Sequence, residues 1–268
     1  MSDVVLIERH DAVAVITLNR PEALNSMTGE LLDALCAAGQ EVAADTSVRA
    51  VIITGNGRAF CAGGDVKGMA ASNDRPGGRS SGGLTSNADR LRQQEEISRL
   101  LYEMPKPTIA AVNGHAVGAG LSVALSADLR IVSENAKFGT AFARVGFSGD
   151  FGGSWLLQRL VGPSKAKELY FSGEILDAHR AEAMGLVTRV VPHESLMEAA
   201  MAQARQRAAG PTLAFARMKE NFAFGATNTF ADTLTQEAKN MTLSSSTEDH
   251  KNAAKAFVEK RDPQFVGR

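Results

Sequence analysis

Arg58-Ala59-Phe60-Cys61-Ala62-Gly63-Gly64-Asp65 and Asn113-Gly114-His115-Ala116-Val117-Gly118-Ala119-Gly120 are two glycine-rich stretches. Each follows a short apolar run, Val51-Ile52-Ile53-Thr54 in the first case and Thr108-Ile109-Ala110-Ala111-Val112 in the second. The runs read as buried strands, and the glycines let the chain beyond them turn tightly and approach a ligand with no Cβ in the way. Either stretch alone is equally what a tight turn or close helix–strand packing requires. The pair points to two exposed backbone N–H groups converging on one oxygen. Acyl-transfer and enolate chemistry use such a hole, and loss of one donor costs roughly 3–4 kcal/mol of transition-state stabilisation. The second donor would gain from a helix dipole, because residues 119–125 read as the first turns of a helix.

Outward from these stretches, strand and helix signals alternate through the first two thirds and helices fill the last third, the pattern of an α/β fold. Residues 13–18 are apolar on both faces, as in a strand covered on both sides. Residues 28–44 place Leu31, Leu35, Ala38 and Val42 on one stripe, a helix with Ser26 or Thr28 as cap. Residues 72–87, rich in Gly, Ser, Asn and Arg, are expected to be a mobile loop, followed by a polar helix over 88–102 that Pro105 and Pro107 end. Residues 129–132 form another strand; helices start at Pro163, stopped by Gly173, and run over 177–184 with Gly185 behind. From Glu194 onward four helical segments are expected, punctuated by Gly210-Pro211, Gly225 and residues 244–247.

The 268 residues are 44% apolar and 22% charged, enough for one large domain or a large and a small one. A net charge of -1 argues against nucleic acid or an anionic membrane surface as the main partner. Cys36 and Cys61 give no disulfide framework and fit a reducing compartment. No run reaches transmembrane length and the first residues lack a signal layout, so the expected location is cytoplasmic. His10, His115, His179, His193 and His250 show no ligand spacing with one another or with the cysteines, and no metal is expected. Gly118-Ala119-Gly120 lacks the third glycine and acidic partner of a dinucleotide site, and Ser154 does not sit as a nucleophile elbow requires.

Together with Leu18-Asn19-Arg20-Pro21-Glu22-Ala23-Leu24-Asn25 and Ala256-Phe257-Val258-Glu259-Lys260-Arg261, the two glycine segments resemble the crotonase superfamily, the enoyl-CoA hydratase/isomerase family, over nearly the whole chain. The resemblance implies a crotonase-like spiral of strand-strand-helix (ββα) units over 1–200, holding an acyl-CoA site, and a C-terminal helical trimerisation region over 201–268. It implies a coenzyme A thioester as substrate, no separate cofactor, and self-association as a homotrimer or dimer of trimers. By the same likeness the oxyanion donors are the N–H groups of Gly64 and Ala119. Coenzyme A contacts fall near Ala23, Leu24, Ala62, Asp65 and Val66, with Phe257 and Lys260 closing the adenine end.

Hydration of a 2-enoyl thioester uses two glutamates around one water. Aligned without gaps from Asn113, those positions fall on Ser122 and Phe142, so both carboxylates are missing. The segment around Gly149-Asp150-Phe151 resembles instead the family's isomerases, phenylacetate-pathway members among them, in which an aspartate at the position of Asp150 is the acid/base. One base suffices for an isomerase, since the proton taken from one carbon returns to another. Phe142, Val145, Phe147 and Phe151 are expected to surround this carboxylate and disfavour its charged form. The competing readings are plain: Asp150 as helix N-cap, Ser122 bonded to a preceding carbonyl, Asp65 as a turn or cap residue, His115 packed in the loop before the helix, Cys61 as a small buried residue, and Trp155 as core or acyl-pocket wall. The expected function is double-bond isomerisation in an enoyl-CoA, with hydration, thioester hydrolysis or non-catalytic acyl-CoA binding as alternatives.

Overall fold

The computed structural model describes residues 4–66, 68 and 84–268. Its large sheet comprises β1 (Val5–His10), β2 (Val13–Leu18), β3 (Ala50–Gly55), β5 (Thr108–Val112), β7 (Leu129–Ser133) and β10 (Arg189–Val191). They lie in the order β1-β2-β3-β5-β7-β10, parallel throughout except for the β1–β2 hairpin. Parallel strands need crossovers that cover the sheet, which is why β3 and β5 are buried at every position.

The two faces divide strictly by alternation. Val13, Val15, Ala50, Ile52, Ile109 and Ala111 pack with Leu196, Ala200, Ala204 and Ala208 of helix α8 (Leu196–Ala208). Alanine every fourth residue gives α8 a flat stripe on which a sheet can rest closely. The intervening residues, Ala14, Ile16, Leu18, Val51, Ile53, Ala110 and Val112, enter the main core with α1 (Gly29–Ala44). The α1 start is capped by Thr28, whose Oγ1 accepts from Leu31 N at 3.3 Å.

A second sheet, order β4-β6-β8-β9, is built from β4 (Ala59–Cys61), β6 (His115–Val117), β8 (Lys137–Gly139) and β9 (Leu176–Asp177). Each glycine segment therefore contains a three-residue strand of this sheet, too short to show an alternation in sequence. His115 accordingly lies in β6, exposed, rather than in a loop.

The polar helix expected over 88–102 is two helices, α2 (Leu84–Gln94) and α3 (Glu96–Glu103), meeting at Glu95. Residues 84–87, expected as loop, are thus helical, and 72–83 lie outside the described residues. The other helices are α4 (Ala119–Ser126), α5 (Gly153–Val161), α6 (Pro163–Ser172), α7 (Ala178–Ala183), α9 (Thr212–Gly225), α10 (Phe230–Ser245) and α11 (Glu248–Val258). Gly173 stops α6 at φ +59°, and Asp177 caps α7. The C-terminal helices α9 and α10 pair with each other, and Lys219 of α9 is tied to the core by Asp128 at 2.8 Å.

Candidate active site

The first glycine segment is anchored by Asn25, a fully buried residue at φ +55° that follows Leu24 at φ +53°. Its Oδ1 accepts from Arg20 N at 2.8 Å, and its Nδ2 donates to Asn56 O at 3.0 Å and Ala59 O at 2.8 Å. The chain around a 3-10 turn, Pro21–Ala23, is thereby fixed against β4. Ala62 N then donates to Leu24 O at 3.0 Å, and Met27 and Gly64 form a parallel bridge through Met27 N to Gly63 O at 2.8 Å and Asp65 N to Met27 O at 3.2 Å. Ala23, Leu24, Ala62, Gly64, Asp65 and Val66 are thus one continuous surface. Replacing Asn25 by Ala strands Arg20 N and Asn56 O, leaves Ala59 O to Asn113 Nδ2 at 3.3 Å, and puts a residue ill-suited to it in the left-handed region. The expected cost is about 2–4 kcal/mol, measured by urea unfolding.

Asp65 behaves as a turn residue, its Oδ1 accepting from Gly68 N at 3.0 Å. Cys61 is fully buried, and burial pushes its thiol up to about 12.

The second segment meets the first at its glycines. Gly63, at φ +93°, has no room for a Cβ, which would lie 2.8 Å from Val117 O and 3.7 Å from the Gly118 Cα. Gly118, at φ +56°, precedes α4 and puts Ala119 at the helix start. Among the described residues neither Gly64 N nor Ala119 N donates to a protein acceptor. Two N–H groups without a protein acceptor thus lie beside touching turns, one of them at a helix N-terminus, where an anion hole would need its donors.

Ser122 is buried in α4 and donates to Gly118 O at 3.3 Å, the helix-internal role expected of it. Phe142 lies in a 3-10 turn, Phe142–Val145, stacked on Tyr170 of α6 with centroids 5.8 Å apart, and its ring edge closes on Gly118. Tyr170 packs on Gly149, where a Cβ would come within 2.9 Å of the ring, and its hydroxyl faces Gly153. Asp150 sits between these glycines. It is not the cap of α5: Gly152 holds that position at φ +75°, with no side chain bonded to the helix.

The Asp150 carboxylate has instead a buried Oδ1 with no hydrogen-bond partner among the described residues. Burial, reinforced by the charge of Glu95, pushes this carboxyl up to about 6. Phe142 and Phe151 are buried as expected, but Val145, the last residue of the 3-10 turn, and Phe147 just beyond it are on the exposed side of the chain. Two neighbours went unnoticed in the sequence. Tyr170 lies on α6, and burial and Asp150 push its phenol up to about 12. Glu95 is one of many acidic residues on a polar helix, and only the tertiary fold singles it out, its Oε1 accepting from Phe151 N at 3.0 Å.

Phe257 and Lys260 lie at the C-terminal end of the last helix. Phe257 is 86% exposed at the end of α11, and Lys260 follows at φ +55°. Trp155 lies away from the hole, edge-on to Tyr102 at 5.4 Å with Arg159 over its ring, in the wall of a cavity of about 790 Å³ between α5 and α9. Among the described residues no group of His, Cys, Asp and Glu is placed to hold a metal, and no helix is long and apolar enough to cross a membrane.

The chain thus joins a parallel sheet covered by helices to two unbonded N–H groups at touching glycine turns and a buried carboxylate on the turn before α5. Residues 8–268 match the Enoyl-CoA hydratase/isomerase family, and the chain belongs to it. It is 35% identical over 268 residues to 1,2-epoxyphenylacetyl-CoA isomerase of Escherichia coli, covering all of both chains. It is 36% identical over 258 residues to short-chain-enoyl-CoA hydratase of Clostridium acetobutylicum, covering 96% of this chain and 95% of that one. The crystal structure of an enoyl-CoA hydratase from Bacillus anthracis superposes with a TM-score of 0.90 at 30% identity, covering 99% of this chain and 100% of the other.

Proposed function

We propose that the protein is an enoyl-CoA isomerase that moves a double bond from the 3,4 to the 2,3 position. The acyl-CoA carbonyl oxygen lies between Gly64 N–H and Ala119 N–H. Asp150 takes a proton from C2, the dienolate oxygen is held by the two donors, and the protonated Asp150 returns the proton to C4. No net proton, electron or water is consumed, so the reading needs no metal and no dissociable cofactor. The buried Oδ1 of Asp150, unpaired beside the hole, carries this reading: a desolvated carboxylate is a stronger base toward a carbon acid. Ser122 and Phe142, at the two positions where the resemblance places hydratase glutamates, support it further. Ala23, Leu24, Ala62, Asp65 and Val66 offer the surface for the coenzyme A moiety, with Phe257 and Lys260 assigned to its adenine end.

Glu95, near enough to bear on Asp150, favours hydration as the second reading, with two carboxylates sharing one water. Mass-resolved product analysis in heavy-oxygen water, using 3-enoyl-CoA and 2-enoyl-CoA, separates the two. Conversion of 3-enoyl to 2-enoyl product without added mass is the expected result. Label appearing in a 3-hydroxyacyl thioester establishes hydration instead, free coenzyme A thiol establishes hydrolysis, and binding without turnover establishes a non-catalytic binder.

We further infer a cytoplasmic homotrimer or dimer of trimers, assembled through the C-terminal helices. Phe222, Phe230, Met241, Phe257 and Val258 are each at least 70% exposed on α9–α11, which supports burial of this face against another copy. Light scattering at the mass of one chain would overturn that reading.

A further inference from the structure

The turn that presents Asp150 is left-handed at three of its four residues: Gly149 at φ +107°, Phe151 at +52° and Gly152 at +75°. For Phe151, which carries a Cβ, this conformation is strained and must be held by its surroundings. Inside the turn, Gly153 N donates to Asp150 O at 3.1 Å. From outside, the Phe151 N–H is held by the Glu95 carboxylate at 3.0 Å. Glu95 is itself fixed at the α2–α3 junction, its N–H donating to Leu91 O at 2.9 Å and its carbonyl accepting from Ser98 N at 3.0 Å. One carboxylate therefore grips the residue next to another.

We propose that Glu95 is a positioning residue for Asp150, holding the strained turn through the Phe151 N–H and keeping a second negative charge beside the reacting carboxylate. This rests on the reading of Asp150 as the base. The titratable groups that face Asp150 are Glu95 from the α2–α3 junction, Cys61 from β4 and Tyr170 from α6. Cys61 and Tyr170 are both pushed up to about 12 and stay neutral while Asp150 titrates, so Glu95 alone among them acts as a charge. A like charge at close range disfavours ionisation of the Asp150 carboxyl and makes it a stronger base once ionised.

The test is a pair of variants. Glu95→Gln keeps an acceptor oxygen for Phe151 N but removes the charge; Glu95→Ala removes both. The Asp150 carboxyl is followed without substrate by ¹³C NMR of protein labelled at aspartate carboxyls, its signal assigned by its loss in Asp150→Asn. In Glu95→Gln the titration is expected to move to lower pH, with the acid limb of kcat/KM for 3-enoyl-CoA following it. In Glu95→Ala the plateau is expected to fall by about tenfold or more as the turn loosens. An Asp150 titration unchanged in Glu95→Gln overturns the proposal, whatever becomes of Glu95→Ala. A titration that shifts in an enzyme found not to isomerise would leave the pairing standing and remove only the assigned reaction.

Discussion

Replacement of Asp150 by Asn is expected to reduce isomerase turnover by about 10³-fold, within the range that positioned acid–base groups contribute, while making the protein more stable at neutral pH. Both effects come from the same desolvated oxygen. Asp150 is held near 6 against an ordinary value of 3.8, so the folded state binds the proton more tightly than the unfolded chain. The stabilisation from that tighter binding is fully present below the ordinary value and is lost as pH rises through the folded value. At neutral pH the charged carboxylate is therefore a burden of about 1–2 kcal/mol after allowance for the part that solvent reaches, and Asn removes it. Thermal unfolding at pH 7.5 should show Asp150→Asn melting a few degrees higher, with the difference closing near pH 4. The rate has the opposite dependence: only the ionised base works, so kcat/KM should rise with pH along a limb centred near 6. Full turnover retained in Asp150→Asn would remove the carboxylate from the chemistry.

The second large effect concerns the hole. Its donors are backbone groups, which side-chain replacement does not reach, but Ala119 is the first residue of α4, the one helical position where proline is well tolerated. Gly118 before it, at φ 56° and ψ -125°, is outside the helical region that a following proline disfavours. Ala119→Pro therefore deletes one N–H and leaves the helix start in place. Turnover should fall by about 10²–10³-fold, with circular dichroism unchanged and thioester binding weakened far less than kcat. Unchanged kcat in a folded variant would show that the Ala119 N–H is not an oxyanion donor.

The large sheet was legible because its strands are buried on both faces, so that Val51-Ile52-Ile53 and Thr108-Ile109-Ala110 announce themselves by composition. The small sheet was not, since Ala59–Cys61 and His115–Val117 are too short for a period to emerge. The two glycine turns could be anticipated because glycine is demanded at Gly63 by the approach of the Val117 carbonyl and at Gly118 by its left-handed φ of +56°, requirements that leave a mark on sequence. Asp150 could be noticed as a carboxylate among apolar residues, but its alternative as a cap was settled only by Gly152 taking that position. Glu95 leaves no comparable mark. Its partner is 56 residues away, and nothing in Gln93-Gln94-Glu95-Glu96 distinguishes it from its neighbour, which pairs with Arg99 on the surface.

The small sheet has a consequence for how the hole works in time. Gly63 and Gly118 stand just beyond β4 and β6, which are hydrogen-bonded neighbours running in the same direction. Adjacent strands are spaced about 4.8 Å apart by their ladder, so the two loops leave the sheet already side by side. The two glycine turns therefore meet when the sheet forms, and a hole built on them, as proposed, would last as long as that sheet. Its entropy of assembly is spent once per folding event rather than once per catalytic cycle, which leaves thioester entry and product exit to other parts of the chain.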